Sequence, residues 1–336
     1  MGKKVSLKDI ATKVGVSTAL VSYVMNGLEK EKRVGHEVVE KIREAAKDLN
    51  YQPNQIARSL RKGSTNTIGL IVADIANPFF AHLARIIEDE AIKYNYVVII
   101  GSSDENFSKS ESLAETLLNR QVDGFIIVPA EGCNRQIELL LQKELPVVLI
   151  DRHFPELNTN YVVLDNYRAT FEATSYLIDK GCQKIEMIAY KSSLIHMQDR
   201  MRGYREAIMA SGLTEKLIHI REIDYHQVGE QMEKIMAELK KKKEADAILF
   251  ATNALSVAGL YAIRKNRIHV PDELSVIGFD GNEAFDFFDP PLTFIQQPLE
   301  EMGKESVRVL LEQIQGTSKT VQVKLKHELI CRGSCR

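Results

Sequence analysis

The sequence predicts two kinds of structure in one chain: a small all-α head, followed by an α/β core of two doubly wound parallel sheets. Three observations predict this arrangement. Apolar residues recur with helical spacing near the start, and further along short apolar runs alternate with helix-length segments. Charge is also divided unevenly between the two regions. The 336 residues are enough for more than one domain.

The head begins with two short helices joined by a glycine turn. Ser6 and Asp9 form a capping-box pattern, and apolar residues then follow with spacing i, i+3, i+4 and i+7 from Leu7 to Val14. Gly15 ends this first helix, and Ser17 is the N-cap of the next one. The spacing therefore predicts a helix-turn-helix.

The second helix, from Thr18 to Asn26, has a polar face opposite its apolar one. That face carries small and polar side chains, namely Thr18, Ala19, Ser22, Tyr23 and Asn26. It can enter the major groove of DNA without a steric barrier, as a recognition helix does. Any small three-helix bundle, completed here by a helix from about Glu37 to Leu49, also has such faces. The pattern alone therefore leaves a purely structural role open.

The charge distribution favours a polyanionic partner for the head. Residues 1–63 hold 13 Lys and Arg against 7 Asp and Glu, whereas the rest of the chain holds 31 against 39. DNA phosphates attract a basic surface and repel an acidic one. The charge thus indicates which region contacts DNA and says nothing about the base sequence recognised.

The core shows a repeated strand-helix pattern in two series. The first series has the runs IGLIVA from Ile68, YVVIIG from Tyr96, VDGFIIV from Val122 and PVVLID from Pro146. The second series has KIEMIA from Lys184, AILFAT from Ala247 and ELSVIGFD from Glu273. Strands that alternate with helices predict parallel sheets, and the length fits two such halves.

Polar and aromatic side chains stand just after several of these strands, where open α/β sheets bind ligands. Phe79, Asp151, Asn253 and Asp280 hold such positions, and Arg200 lies near the start of a helix in the second half. Arginine donors and aspartate acceptors can grip vicinal hydroxyls or a purine edge beside an aromatic wall. The alternatives are a structural salt bridge for Arg200 and Asp280, and plain core packing for Phe79.

Several function classes are disfavoured by what the sequence lacks. No apolar stretch is long enough to cross a bilayer and the start has no signal-peptide core, so we expect a cytoplasmic protein without membrane contact. The four cysteines have no metal-ligand spacing, and the common nucleotide-binding, hydrolase and metalloprotease motifs are missing. We expect no enzyme activity, no catalytic residues, no cofactor and no metal.

Two segments, VSLKDIATKVGVSTALVSYVMNG and LNYQPNQIARSLRKGSTNTIGLIVADIANPFF, resemble the head, hinge and first core strand of the lactose-repressor (LacI/GalR) family. The resemblance extends through essentially the whole chain. It implies a periplasmic-binding-protein type I core and a repressor whose operator affinity is controlled by a small-molecule effector in the interlobe cleft. We expect that effector to be a sugar or a sugar derivative.

The resemblance also implies that residues 53–62 form a hinge helix that folds on the operator and inserts Leu60 into the minor groove. Pro53 can start a helix, and an apolar wedge kinks a base step. So short a helix is unstable alone, so its folding is coupled to DNA binding. The implied DNA-binding residues are Leu7, Ser17, Thr18, Ala19, Ser22, Tyr23, Asn26, Tyr51, Asn54, Ala57, Arg58 and Leu60.

The expected domains are a helix-turn-helix at 1–52, the hinge at 53–62, a linker at 63–66 and the core at 67–336. Within the core the resemblance implies an N-lobe of about 67–166 and 294–323, and a C-lobe of about 167–293 and 324–336. The three crossings then lie near Asn166, Thr293 and Lys324. The chain has no heptad-bearing tail, so we expect a homodimer on a pseudo-palindromic DNA operator.

The chain departs from the family pattern at positions that bear on specificity. Tyr23 stands where many members have an arginine that reads guanine, and Ala254 replaces a common aspartate beside the cleft. Similar members use residues at Arg200, Asn253 and Asp280 to hold effectors, and Tyr225 is a further candidate. The alternative function is a solute-binding protein for sugar uptake, which would leave the basic head without a role.

Overall fold

The computed structural model describes residues 5–51, 63–213 and 218–336. The chain divides into two compact units between Thr65 and Asn66. The predicted hinge at 53–62 lies outside the described residues, together with four predicted DNA contacts: Asn54, Ala57, Arg58 and Leu60. Across the described ranges, no helix is both long enough and apolar enough to span a membrane.

The head contains three helices, α1 Leu7–Val14, α2 Thr18–Met25 and α3 His36–Asp48. The N–H and the hydroxyl of Ser6 both donate to the Asp9 carboxylate, at 2.8 and 2.6 Å. Gly15 has a φ of 76°, a left-handed conformation that favours glycine. The Ser17 hydroxyl accepts the N–H of Leu20 at 3.2 Å and caps α2. The helix-turn-helix therefore forms at the predicted residues.

A small apolar core joins the three helices. Its buried members are Ile10, Ala11, Val21, Val24, Val39, Ile42, Ala45 and Ala46. Helices of this length are marginal alone in water, so their packing supplies most of their stability. The core also fixes the direction in which the polar face of α2 points.

The second unit contains two six-stranded sheets, one in each lobe. The first sheet has the order β11-β5-β4-β3-β1-β2 and all its pairs are parallel. Its strands are β1 Thr67–Val72, β2 Val97–Ser102, β3 Gly124–Ile127, β4 Val147–Ile150, β5 Asn160–Leu164 and β11 Gln322–Leu325. Alternate side chains enter two different apolar clusters, Leu70 on one face and Ile71 on the other, so both faces are covered.

The second sheet has the order β12-β10-β9-β8-β6-β7. Its strands are β6 Ile185–Tyr190, β7 His219–Ile223, β8 Ala247–Phe250, β9 Ser275–Phe279, β10 Thr293–Gln296 and β12 Glu328–Ile330. The pairs are parallel except that β12 runs antiparallel to β10. One apolar cluster spans this lobe. The predicted architecture of two parallel-sheet halves is confirmed.

Nine helices of the described core connect or follow these strands. They are α4 Pro78–Ile92, α5 Phe107–Asn119, α6 Asn134–Gln142, α7 Asn166–Asp179, α8 Ile195–Ala210, α9 Val228–Lys242, α10 Asn253–Lys265, α11 Glu283–Phe287 and α12 Leu299–Ile314. Asn77 and Thr252 cap α4 and α10 by accepting the N–H groups of Phe79 and Leu255.

The chain passes between the lobes three times, and two of these crossings lie later than expected. Residues 293–296 form β10, which pairs with β9, so Thr293 still belongs to the second lobe and the chain leaves it after Gln296. Lys324 lies inside β11 and pairs with Val163 of the first sheet. The reason for the first difference is packing, because Phe294 and Ile295 are buried in the second-lobe cluster.

Candidate functional site

Residues that follow the strands of both sheets line one cleft, with a volume of about 610 Å³. All six predicted effector residues lie on its wall: Phe79, Asp151, Arg200, Tyr225, Asn253 and Asp280. Phe79 and Asp151 come from the first lobe, whereas the other four come from the second. A ligand in the cleft would therefore touch both lobes.

Asp280 directly follows β9 and is buried. One carboxylate oxygen accepts a hydrogen bond from Gln297 Nε2 at 2.9 Å, and its backbone carbonyl accepts one from Asn253 Nδ2 at 3.0 Å. Its φ of 61° is in the left-handed region, which aspartate tolerates better than most residues. Burial raises the pKa of Asp280 to about 7, although the nearby Arg200 charge opposes this.

Arg200 is held from three sides on α8. Its Nε donates to Asn166 Oδ1 at 2.7 Å and its Nη1 donates to the Ala251 carbonyl at 2.5 Å. The guanidinium lies 3.7 Å from the centre of the Phe279 ring, a cation–π contact. Among the described residues no ion pair within 4.0 Å joins Arg200 to Asp280. The structural salt bridge considered for these two residues is therefore not the arrangement found.

A charged cluster forms the first-lobe wall. Arg152 donates to both oxygens of Glu105, with Nη1 and Nη2 at 2.7 and 2.6 Å. Its Nε also donates to Asp151 at 3.2 Å. Burial raises the pKa of Asp151, and the adjacent Arg152 charge only partly offsets this. The cluster places two carboxylates and one guanidinium against the cleft.

Aromatic rings line the remaining wall. Phe79 contacts Phe80 edge-to-face at 4.9 Å and is mostly buried in the first-lobe core, so it packs and lines the cleft at once. Tyr225 lies 5.4 Å from Tyr190 between ring centres. Its hydroxyl donates to Asp74 of the first lobe at 3.2 Å, so a hydrogen bond bridges the two lobes. Burial raises the pKa of Tyr225.

Glu105, His196 and Gln297 are among the cleft residues that were missed from the sequence. Glu105 lies three residues after β2, so the end of that strand is the signal that could have found it. Gln297 directly follows β10. The expected crossing near Thr293 puts this strand in the first lobe, whereas it pairs with β9 of the second. His196 Nδ1 and Gln297 Oε1 are buried and have no hydrogen-bond partner among the described residues.

The described part of the predicted DNA-binding surface divides into exposed and packed side chains. Ser17, Thr18 and Ala19 are exposed at the start of α2. Ser22, Tyr23 and Asn26 are half-buried: Asn26 Nδ2 donates to the Ser22 carbonyl at 2.5 Å, and the Tyr23 ring lies 6.0 Å from Lys32 Nζ. Leu7 and Tyr51 are also half-buried and pack against the head core.

Comparison with known families covers both units. Residues 6–54 match "Bacterial regulatory proteins, lacI family", and residues 65–332 match "Periplasmic binding proteins and sugar binding domain of LacI family". The chain belongs to the LacI family. It is thus a DNA-binding transcription regulator with an effector-binding core, as the helix-turn-helix and the cleft had indicated.

Two named repressors are among the most similar relatives of this LacI-family chain. It is 30% identical to the transcriptional repressor PurR of Aliivibrio fischeri, over 98% of both chains. It is 32% identical to the ribose operon repressor of Halalkalibacterium halodurans, over 92% of this chain and 90% of the relative.

A solved structure supports the fold of the core. A LacI family transcriptional regulator from Enterococcus faecium, solved with bound ribose, superposes with a TM-score of 0.72 at 28% identity. The match covers 80% of this chain and 98% of that one.

Proposed function

We propose that this LacI-family regulator is a repressor whose operator affinity is controlled by a sugar bound in the interlobe cleft. The observation that carries the proposal is that both lobes present fixed aspartate and arginine groups to one cavity. Asp151 does so from the first lobe, and Asp280 with Arg200 from the second. Such groups suit vicinal hydroxyls, since each hydroxyl both donates and accepts. The ribose named for two similar proteins is in keeping with this ligand class.

Control of DNA binding follows from a ligand that touches both lobes. The ligand favours the lobe arrangement in which the groups from both walls reach it, and it disfavours any other arrangement. If the two arrangements differ in how readily the hinge residues 53–62 order on DNA, sugar and operator become thermodynamically coupled. The coupling is reciprocal, so the operator must change sugar affinity by the same factor.

On the DNA side, we propose that Thr18, Ala19 and Tyr23 of α2 read the major groove of each half-site. Thr18 and Ala19 are exposed, as this role requires. Tyr23 offers one hydroxyl and a ring, so it cannot make the bidentate contact of arginine with guanine. The predicted wedge, Leu60, would open the centre of the site.

The DNA partner would be a two-fold pseudo-palindrome bound by a homodimer. Exposed apolar side chains at an unpaired sheet edge support the dimer. Ile92, Tyr94, Val97 and Ile100 are 43–64% exposed on or just before β2, the edge strand of the first sheet. A group of exposed apolar side chains of this kind is typical of a protein interface.

The alternative, a solute-binding protein for sugar uptake, would use the same cleft without the head. DNA retention separates the two functions. We expect the full chain to bind operator DNA, selected by it from random sequence, at least about 1,000-fold more tightly than a chain that starts at Asn66. Equal retention of DNA by both proteins would refute the regulator function. Ligand binding by both proteins is the control for folding.

A further inference from the structure

The charge of the cleft wall is unusual for a site that would take a phosphorylated ligand. Among the described residues that line it, four carboxylates face two guanidinium groups. These residues are Asp74, Glu105, Asp151, Asp280, Arg152 and Arg200. Sites for phosphate esters usually present arginine or lysine groups with donors left over for the phosphate oxygens. In this cleft the carboxylates outnumber the guanidinium groups.

Arg152 already has a full anionic partner. Its two terminal nitrogens contact both oxygens of Glu105 at 2.7 and 2.6 Å, the parallel geometry that a phosphate would otherwise adopt. Its Nε donates to Asp151 at 3.2 Å. The guanidinium is thus neutralised before any ligand arrives. An incoming phosphate would have to displace a carboxylate.

Arg200 is partly engaged, and its partners are neutral groups. Asn166 and the Ala251 carbonyl accept two of its N–H groups, and its face is covered by the Phe279 ring. Protonation of the carboxylates does not make the cleft cationic. Burial raises the pKa of Asp280 to about 7 and raises that of Asp151 as well, but loss of both charges would leave two carboxylates against two guanidinium groups.

At two helix N-termini beside the cleft, one backbone N–H group is already capped. The first residue of α4 is Pro78, which has no N–H, and Asn77 accepts the N–H of Phe79. At α10 the Thr252 hydroxyl accepts the N–H of Leu255 at 3.3 Å. Each cap occupies one of the N–H groups that bind phosphate at other helix starts.

The wall instead has a surplus of acceptors. Besides the carboxylates, Gln297 Oε1 is a buried acceptor that finds no donor among the described residues, and His196 Nδ1 is buried there without a hydrogen-bond partner. Burial lowers the pKa of His196 well below its usual value, so the imidazole is neutral and one of its nitrogens is an acceptor. A ligand that donates many hydrogen bonds would satisfy these atoms.

We propose that the cleft selects an uncharged polyhydroxylated ligand, a free sugar, and rejects phosphate esters because Glu105 has already neutralised Arg152. This selectivity rests on the proposed function, since it concerns the same cleft. It deepens that function by naming the charge class of the effector and the residue that sets it. Glu105 is here a specificity-determining residue.

The wild-type test uses matched pairs of ligands with the full chain. D-ribose, D-glucose and D-fructose are each compared with D-ribose 5-phosphate, D-glucose 6-phosphate and D-fructose 6-phosphate by calorimetry at constant ionic strength. Inorganic phosphate is titrated separately. We expect any sugar that binds to do so about 100-fold or more tightly than its ester, since like charges repel in a desolvated site. We expect no saturable binding of inorganic phosphate.

The variant Glu105→Gln tests the assigned residue. It leaves the Arg152 guanidinium without its main counter-ion, so we expect the preference for sugar over ester to fall at least about tenfold. Glu115→Gln removes one exposed carboxylate from α5 of the same lobe and should leave the preference unchanged. Thermal unfolding without ligand checks that both variants are folded.

The outcomes separate the two proposals. An ester that binds as tightly as its parent sugar, or saturable binding of inorganic phosphate that Arg152→Gln abolishes, would overturn the charge selectivity and leave sugar control intact. An unchanged preference in folded Glu105→Gln would overturn the role of Glu105. If no sugar and no ester binds, sugar sensing fails, while the phosphate titration still decides whether anions are excluded.

Discussion

The buried carboxylate of Asp280 lowers the stability of the fold, and its proposed role in ligand binding explains why it is there. It is buried, accepts one hydrogen bond from Gln297, and has no ion pair within 4.0 Å among the described residues. Its folded pKa of about 7 exceeds its ordinary value of 3.8, so the folded state binds the proton more tightly than the unfolded chain does. Stability therefore falls as pH rises from about 4 to about 7 and stays lower above that range. Donors from a ligand would offset this cost.

Replacement of this carboxylate should weaken the response to sugar without loss of folding. In Asp280→Ala we expect sugar affinity to fall about 10- to 100-fold, the usual effect of losing a hydrogen bond to a charged group. Sugar-induced thermal stabilisation should shrink at the same sugar concentration, and operator affinity without sugar should stay nearly unchanged. Glu283→Ala, which removes an exposed carboxylate of α11, is the matched control. A normal sugar response in Asp280→Ala would refute the site.

The raised pKa also predicts how sugar binding depends on pH. An ionised carboxylate accepts hydrogen bonds from hydroxyls better than a protonated one, so affinity should rise between pH 6 and pH 8 by up to about tenfold. In Asp280→Asn, which cannot ionise at this position, the same calorimetric series should be flat. Affinity that rises equally in both proteins would assign the pH dependence to another group.

At the scale of elements, helix-capping and strand-end patterns explain why much of the site was predictable. Asp151 and Asp280 directly follow apolar runs that form β4 and β9, so their places follow from parallel-sheet geometry. Ser17 likewise starts α2 where its capping pattern predicted.

Other elements left weaker signals in the sequence. Strand β7, His219–Ile223, is a partly polar edge strand without a continuous apolar run. Strand β10 follows two prolines and is only four residues long. The sequence therefore did not predict which sheet it joins, or that Gln297 after it lines the cleft. The contact between Arg152 and Glu105 joins residues 47 positions apart, and no local pattern encodes it.

The predicted hinge segment contains Leu60, the expected minor-groove wedge. Leu60→Ala should weaken operator binding about 10- to 100-fold, since a buried leucine is worth about 1.5–3 kcal/mol. Binding to non-specific DNA should change much less, because only a kinked site uses an apolar wedge. Fluorescence anisotropy with operator and with scrambled DNA at fixed salt measures both affinities. Equal losses on the two DNAs would show that Leu60 is not a wedge.

At the scale of the whole molecule, a two-fold operator requires two heads, and the exposed edge of the first sheet is where we place the contact between cores. Val97 begins β2 and is 64% exposed. An uncovered edge strand with apolar side chains is a liability for a monomer, whereas a second copy would cover it.

A charge at this edge should therefore separate the protomers. We expect Val97→Asp to sediment as a monomer at micromolar concentrations at which the unmodified chain is a dimer, because a buried unpaired charge destabilises an interface. Its operator affinity should fall by about 100-fold or more, since one half-site is lost. Leu139→Asp, at an exposed apolar position on α6, should remain dimeric. A dimeric Val97→Asp would place the interface elsewhere.

Occupancy of the cleft is expected to control the affinity of the protein for its operator. The most direct test is the operator Kd of the full chain, measured by anisotropy with and without a saturating free sugar that calorimetry shows to bind. We predict a change of about tenfold or more in the unmodified protein, in the range usual for allosteric coupling, and a clearly smaller change in Asp280→Ala at the same sugar concentration. A sugar that fills the cleft and leaves the operator Kd unchanged would contradict the account.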